Sequence, residues 1–328
     1  MAKVCIGIDL GGTFTKFGLL DERRRPSGIF QLPTPTDGAE AIIERMAEGA
    51  RKALADAGVS GRDVAGVGVG SPGPLSMSKG IVYAAPNLPG FVNLRLRQRL
   101  SRKLDGLPVA LENDANAAGY GEFLCGAGRK CRDMVLLTLG TGVGGGVVVD
   151  GKVLRGSHEI GAELGHMILV PDGRPCGCGQ RGCLEQYCSA TFMSRWAARE
   201  LEATPRRSRL RAVMRAKAAM DPPQELDARD INAARKAGDA FAARVWDEMA
   251  RHLATACVNF ARALDPDRIV LAGGMAKAGR DLLAPVQEHY RDLHWGLTPR
   301  KTAIALATLG NDAGVIGAAG IAWAEFAS

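Results

Sequence analysis

Two stretches of the chain repeat one local pattern, and that repetition narrows the fold more than any other feature. Lys3 to Asp9 reads as an apolar strand, Gly11-Gly12-Thr13 turns the chain, and Thr15 to Leu20 reads as the returning strand. Farther along, Asp133 to Leu139 is again a strand. Gly140-Thr141-Gly142-Val143-Gly144-Gly145-Gly146 is again a turn, and Val147 to Asp150 begins the return. Each turn carries a threonine. Two strand–glycine turn–strand units in one chain point to an internally duplicated α/β protein. The intervening sequence suits that class. Ala39 to Ala57 has helical periodicity and stops near Gly58, and Val64 to Gly70 is a buried strand ahead of the breakers Ser71-Pro72-Gly73-Pro74. Asn93 to Leu104 reads as a basic amphipathic helix, and Val109 to Glu112 as a short strand with a helix following from Ala115. Helices dominate from Ser189 to Ala263, broken at Pro205 and Pro222-Pro223. A strand at Arg268 to Leu271 then runs into Ala272-Gly273-Gly274-Met275, and Gly314 to Phe326 forms a terminal helix.

The bulk numbers exclude several classes. At 328 residues the chain is long enough for two domains. Its 42 glycines follow no three-residue period and gather in no linker, so collagen-like and low-complexity readings fail. The net charge of +7 comes partly from Arg23-Arg24-Arg25, Arg95 to Lys103 and Pro205 to Lys217. Such scattered clusters read as solvated faces rather than a nucleic-acid footprint, so no nucleic-acid partner is expected. No apolar run approaches the ~20 residues that span a bilayer, and Val4 to Leu10 is interrupted by Asp9. A cytoplasmic protein with no membrane partner is expected. Eight cysteines in a reducing compartment then argue for a metal site or scattered core thiols, not a disulfide framework.

The turns carry the first chemical signal. A hairpin tip without side chains exposes backbone N–H groups and a threonine hydroxyl, a cradle for phosphate oxygens, at Gly11, Gly12 and Thr13. Asp9 at the strand end could order a magnesium ion through water. The second turn, with Thr141, Gly142 and Gly144, has neither the Gly-Lys-Ser/Thr of a Walker loop nor the following helix of a dinucleotide fingerprint. It suits a nucleotide approached from another side. Gly273-Gly274 is a third close-approach point, suited to adenosine or else simply a helix-start turn. In Glu112-Asn113-Asp114-Ala115-Asn116, Asp114 stands where strand gives way to helix. A carboxylate there can orient an alcohol and accept its proton during phosphoryl transfer, or Asn113 or Asp114 caps the helix.

The most specific signal is His166 followed by Cys176-Gly177-Cys178 and Cys183, an H-x9-C-x-C-x4-C set. One imidazole and three thiolates make a closed tetrahedral set of the structural-zinc kind. Cys5, Cys125, Cys131 and Cys257 are isolated and read as buried apolar residues, and Cys188 lies beyond the loop in a helix. Glu163 and Glu185 flank the set without being needed by it. Carboxylates accept two hydrogen bonds from vicinal hydroxyls, so a zinc-stapled loop could hold them for a sugar. His166 could serve metal alone or both metal and sugar.

With these residues the chain resembles the ROK family (repressors, open reading frames and sugar kinases), most of all its bacterial glucokinases. Asp9 to Lys16, Glu112 to Asn116, Leu139 to Gly146, Glu163 to His166 and Cys176 to Glu185 fall in the family's order. The resemblance implies the actin/hexokinase-like (ribonuclease H-like) α/β fold, with two domains about a deep cleft. The expected boundaries are 1–115 for the smaller domain, with a helix at about 312–328 packing back on it, and 116–311 for the larger. It implies ATP-dependent phosphorylation of a hexose 6-hydroxyl, with ATP, Mg2+ and structural Zn2+. Asp114 would be the base and Asn87, Asn113, Glu163, His166 and Glu185 the sugar contacts. A homodimer is the family expectation. Glucose is the expected sugar, ahead of N-acetylglucosamine, N-acetylmannosamine, mannose or fructose, and ATP the expected donor ahead of polyphosphate. Because the first hairpin starts at residue 9, no helix-turn-helix module is expected before it, which favours a kinase over a sugar-responsive repressor. One departure is visible: Phe14 follows Gly-Gly-Thr where lysine is common, and Lys16 comes two later.

Overall fold

A computed structural model describes residues 3–297 and 301–327. The strands are β1 (Val4–Leu10), β2 (Phe14–Asp21), β3 (Pro26–Pro33), β4 (Val64–Ser71), β5 (Leu75–Ser76), β6 (Ile81–Ala84), β7 (Val92–Leu94), β8 (Val109–Asn113), β9 (Met134–Leu139), β10 (Val143–Val149), β11 (Lys152–Val153), β12 (Arg268–Ala272) and β13 (Ala303–Leu306). The helices are α1 (Ala39–Ala57), α2 (Leu96–Lys103), α3 (Asp114–Cys125), α4 (Glu185–Cys188), α5 (Ala190–Ala203), α6 (Leu210–Ala218), α7 (Ala228–Lys236), α8 (Ala240–Leu264), α9 (Arg280–Leu293) and α10 (Ala313–Phe326).

The duplication is visible in the sheets. One five-stranded sheet runs β3-β2-β1-β4-β8 and the other β11-β10-β9-β12-β13, the same order of hairpin strands followed by crossover strands. In the first, β1 pairs antiparallel with β2 and parallel with β4, and β4 pairs parallel with β8. In the second, β10 and β11 are antiparallel and β12 and β13 parallel. Parallel neighbours require long crossovers, which is why the helical segments fall where they do.

The chain divides into two compact units. The first comprises residues 1–134, 146–162 and 307–328, and the second 135–145 and 163–306. Helix α3 packs against α10 within the first unit. Its sheet is covered on one side by α1, whose buried face is Ile42, Ile43, Met46, Ala47, Ala50 and Ala53, closed over Phe17. Gly58 ends α1 in the left-handed region at φ 64° and returns its N–H to Ala55. The helix α10 lies against β1, β4 and α3. A Cβ at Gly68 would stand 1.7 Å from the Ala318 carbonyl oxygen, and one at Gly317 1.7 Å from that of Ala117. The backbones meet there with nothing between them.

In the second unit the 25-residue α8 buries Val245, Trp246, Met249, Leu253, Cys257 and Phe260. The helical region is interrupted where the prolines predicted and once more at Gly238-Asp239, where the Asp239 side chain accepts the Ala242 N–H and starts α8. Two sequence expectations are corrected. Val92–Leu94 is a strand, held by pairing to β6, so the basic helix begins only at Leu96. The second glycine turn is shorter than expected: β10 begins at Val143 and takes Gly144, Gly145 and Gly146 into the strand. Among the described residues no helix is long and apolar enough to cross a membrane.

Gly68→Ala and Gly317→Ala each drive a methyl into backbone. Each is expected to destabilise the first unit by about 3 kcal/mol or more, read as a lowered midpoint in urea unfolding, whereas Gly28→Ala on the open surface is expected to cost about 1 kcal/mol, for its positive φ alone.

Candidate functional site

In the first unit the site is assembled at the carboxyl ends of three parallel strands. Asp9 is the penultimate residue of β1 and pairs with Gly70 of β4, and Ser71 of β4 pairs with Asn113, the last residue of β8. Ligand sites in open α/β sheets collect at such ends because the strands deliver several side chains to one edge. Asp114 opens α3 there. The Asn113 side-chain oxygen accepts the N–H groups of Ala115 (2.9 Å) and Asn116 (3.2 Å), so Asn113 is the helix cap that the sequence allowed. Asp114 Oδ1 also accepts the Ala115 N–H, at 2.8 Å.

Asp9 senses the charge of Asp114. Burial and the nearby charge of Asp114 push Asp9 up to about 6, against the pull of Lys16. Burial also raises Asp114, opposed by backbone N–H groups and the Asn113 side chain. The first hairpin closes with the Gly11 N–H donating to the Phe14 carbonyl at 3.1 Å, and Gly12 lies against Asn87: a Cβ there would be 3.3 Å from the Asn87 Cβ. Phe14 is exposed. Lys16 turns away from the tip, and its Nζ donates to the Asn311 carbonyl (2.5 Å) and Asp312 (3.1 Å), bracing the start of α10.

In the second unit Glu163, His166, Glu185 and the β9–β10 turn form one cluster. Glu185 Oε2 accepts the Val143 N–H at 3.0 Å, and a Cβ on Gly142 would lie 2.3 Å from that carboxylate. A Cβ on Gly165 would strike the Val143 carbonyl at 1.8 Å. The loop with Glu163 and His166 is therefore pressed against the start of β10. Glu163 is exposed and His166 half-buried. The Gly144 N–H is taken by Thr138 Oγ1 (3.1 Å), and the Gly140 N–H closes the tip on the Gly142 carbonyl at 3.0 Å. Gly273, at φ 85°, abuts Leu139 at the foot of the same turn. A cavity of about 530 Å³ opens beside Gly274 and Met275, lined also by Asn232, Ala233 and Trp246.

The candidate metal ligands converge. His166, Cys176, Cys178 and Cys183 present atoms all within 4.8 Å of one another. Cys178 and Cys183 sulfurs are 3.7 Å apart, and Cys176 Sγ is 3.7 Å from His166 Nδ1. A tetrahedral ion with Zn–S near 2.3 Å and Zn–N near 2.0 Å sets its donors about 3.4–3.8 Å apart, so this set fits. His166 faces the set with Nδ1, which leaves Nε2 on the other side of the ring. Hydrogen bonding, led by the Gln180 N–H, holds Cys178 down at about 7, while burial pushes Cys183 up to about 12.

One residue of this loop carried no signal in the sequence. The Arg174 guanidinium sits 4.5 Å from the centroids of both Tyr187 and Trp196, and donates to the Gln186 carbonyl at 2.8 Å. The Arg174 N–H also donates to the Tyr187 hydroxyl at 2.9 Å. A desolvated cation between two rings clamps the loop to α4 and α5 independently of any metal. No periodicity or spacing marks such a contact.

The twin sheets and the residues at their ends define an α/β protein of the actin/hexokinase type. A ROK hexokinase from Thermus thermophilus superposes with a TM-score of 0.86 at 34% identity, covering 98% of each chain. A ROK family glucokinase from Streptomyces griseus in complex with glucose and AMPPNP gives 0.75 at 33% identity, covering 97% of this chain and 98% of that one. The glucokinase of Halalkalibacterium halodurans is 39% identical over 95% of this chain and 92% of its own length. The ROK family pattern matches residues 5–325. The chain belongs to the ROK family.

Arg174→Leu is expected to remove about 3 kcal/mol of local stability, combining the cation–π contacts and a charged hydrogen bond. Amide hydrogen exchange across 174–188 should quicken while exchange in β1 and β4 stays unchanged.

Proposed function

We propose that this protein is an ATP-dependent hexose kinase that phosphorylates the 6-hydroxyl, with glucose as its sugar. The observation that carries this reading is Asp114: a carboxylate of raised pKa, held at a strand-to-helix corner on the sheet edge that also carries the first glycine hairpin. The kinship with glucokinases, and with a homologue crystallised with glucose and an ATP analogue, supports the choice of substrate pair.

On this reading Asp114 accepts the proton of the sugar O6 as that oxygen attacks the γ-phosphorus. The O6–P bond forms, the P–O bond to ADP breaks, and the proton stays on Asp114. Little covalent chemistry falls to the protein, so its work is positioning and charge. In the first unit the Asn113 side-chain NH2 and Asn87 are sugar donors, and Gly11, Gly12 and Thr13 cradle phosphate oxygens. Asp9 is placed to hold Mg2+ through water. That ion would supply charge neutralisation to the phosphates. In the second unit Glu163, the His166 Nε2 and Glu185 Oε1 are sugar acceptors or donors. Thr141, Gly142, Gly144, Gly273 and Gly274 serve the nucleotide, with the cavity beside Gly274 suited to adenosine. His166, Cys176, Cys178 and Cys183 hold a structural Zn2+ that fixes the loop bearing Glu163 and Glu185. The protein acts in the cytoplasm, as a homodimer.

The deciding experiment is a coupled assay of purified protein across a panel of hexoses, N-acetylhexosamines and phosphoryl donors. Glucose with ATP should give the highest kcat/KM; a maximum with an N-acetylhexosamine or with polyphosphate would replace the substrate assignment. Asp114→Asn should bind glucose and lose about 100- to 10,000-fold in kcat, and near-normal turnover would remove the base assignment. Because the base works deprotonated and its pKa is raised, kcat/KM should fall as pH drops, with its acid limb above the ordinary carboxylate range. Glu185→Gln should raise the sugar KM more than the ATP KM. Elemental analysis should find about one zinc per chain, and Cys183→Ser should abolish it.

A further inference from the structure

Glu112 is a fully buried carboxylate one residue from the sugar-binding corner, and the reaction as described gives it no part. Its Oε1 accepts two donors, the Asn113 N–H at 3.0 Å and the Asn116 side-chain NH2 at 3.0 Å. Its Oε2 accepts from Arg155 Nε at 2.8 Å. The other arm of Arg155 donates to Glu325 Oε1 at 2.9 Å, in the last turn of α10. Three segments far apart in the chain thus meet behind Asp114.

A buried carboxylate without a countercharge loses its proton only at great cost. Neutral, it would offer one good acceptor oxygen and one O–H, and could not satisfy these donors together. Charged, it pins Asn113 from its own N–H and Asn116 from its side chain. Asn113 in turn receives the Ala115 and Asn116 N–H groups on Oδ1. Asp114 is therefore bracketed on both sides by residues tied to one anion, and that anion is tied to Arg155. A catalytic carboxylate displaced by about 1 Å loses on the order of 100-fold in rate.

We propose that Arg155 is a positioning residue for the phosphoryl transfer. It acts through Glu112 to set Asp114, while Glu325 only orients its outer arm. This rests on the reading of Asp114 as the base. Arg155→Met should keep the fold by circular dichroism, lower kcat about 30- to 100-fold, and leave sugar and ATP KM within about threefold. Glu112→Gln/Arg155→Met keeps a neutral acceptor for Asn113 and Asn116 and removes the unpaired charge. It should recover kcat to within about tenfold of wild type, so the two changes are strongly non-additive. Glu325→Gln should lower kcat less than threefold. Unchanged kcat in folded Arg155→Met overturns the proposal, as does a double variant no better than the single one. Should Arg155→Met fail to fold, the double variant decides alone: kcat within tenfold of wild type supports the coupling, and a larger loss overturns it. The network also has a readout without turnover, the 1H–15N resonances of the Asn113 amide and the Asn116 side-chain NH2. These should move in Arg155→Met and return in the double variant, and unmoved resonances overturn the positioning. A wild-type protein inert on every hexose and donor sinks the kinase reading instead, and the resonances then still test the network.

Discussion

The contact on which the first unit depends is backbone against backbone. The helix α10 is rich in alanine and glycine and fully apolar along most of its length, and it lies where β1, β4 and α3 would otherwise leave a void. It can lie there only because Gly68 and Gly317 carry no Cβ. The close approach sets the position of α3 against the sheet, and with it the corner at Asn113 and Asp114. Side chains of ordinary size would push the helix outward by ångströms, and the corner would move with it.

The same unit shows how a polar site is kept without leaving polar atoms unpaired. Glu122, fully buried in α3, accepts N–H groups from Ala127, Thr308 and Leu309, so it fastens the incoming chain just ahead of α10. Lys16 does the same from the opposite side by binding Asn311 and Asp312. Near the corner, charge is compensated at Glu112 by Arg155 and left partly uncompensated at Asp9 and Asp114. The result separates carboxylates that hold the frame from those free to change protonation. In the second unit the stacked Arg174 does the fastening, between Tyr187 and Trp196.

Much of this was legible in the sequence where local signals are strong. The ends of α1 match the expected Ala39 to Ala57 because its apolar period and Gly58 act together. The candidate metal ligands are near in sequence and are near in space. Pieces that depend on remote partners were not legible. β5, β6 and β7, of two to four residues, exist through pairing to one another, and β7 takes residues whose pattern reads as helix. The glycines after Val143 lack any strand propensity yet are drawn into β10 by the adjoining strands. Arg155 is 43 residues from Glu112, and Trp196 reaches the Arg174 loop from α5, so no spacing rule reports either. Lys16 read as a charge near the phosphate hairpin, but its contacts lie with the start of α10.

The placement of α10 also bears on how the chain comes to be folded during synthesis. β1 leaves the ribosome long before its partner α10. At about 5–20 residues per second, roughly 300 residues and about 15–60 s separate them. The second unit, whose residues end at Leu306, is complete before that partner exists. Until then the apolar face of β1 and β4 stands open in the nascent protein, a natural station for a chaperone. Deletion of α10 would leave it so permanently.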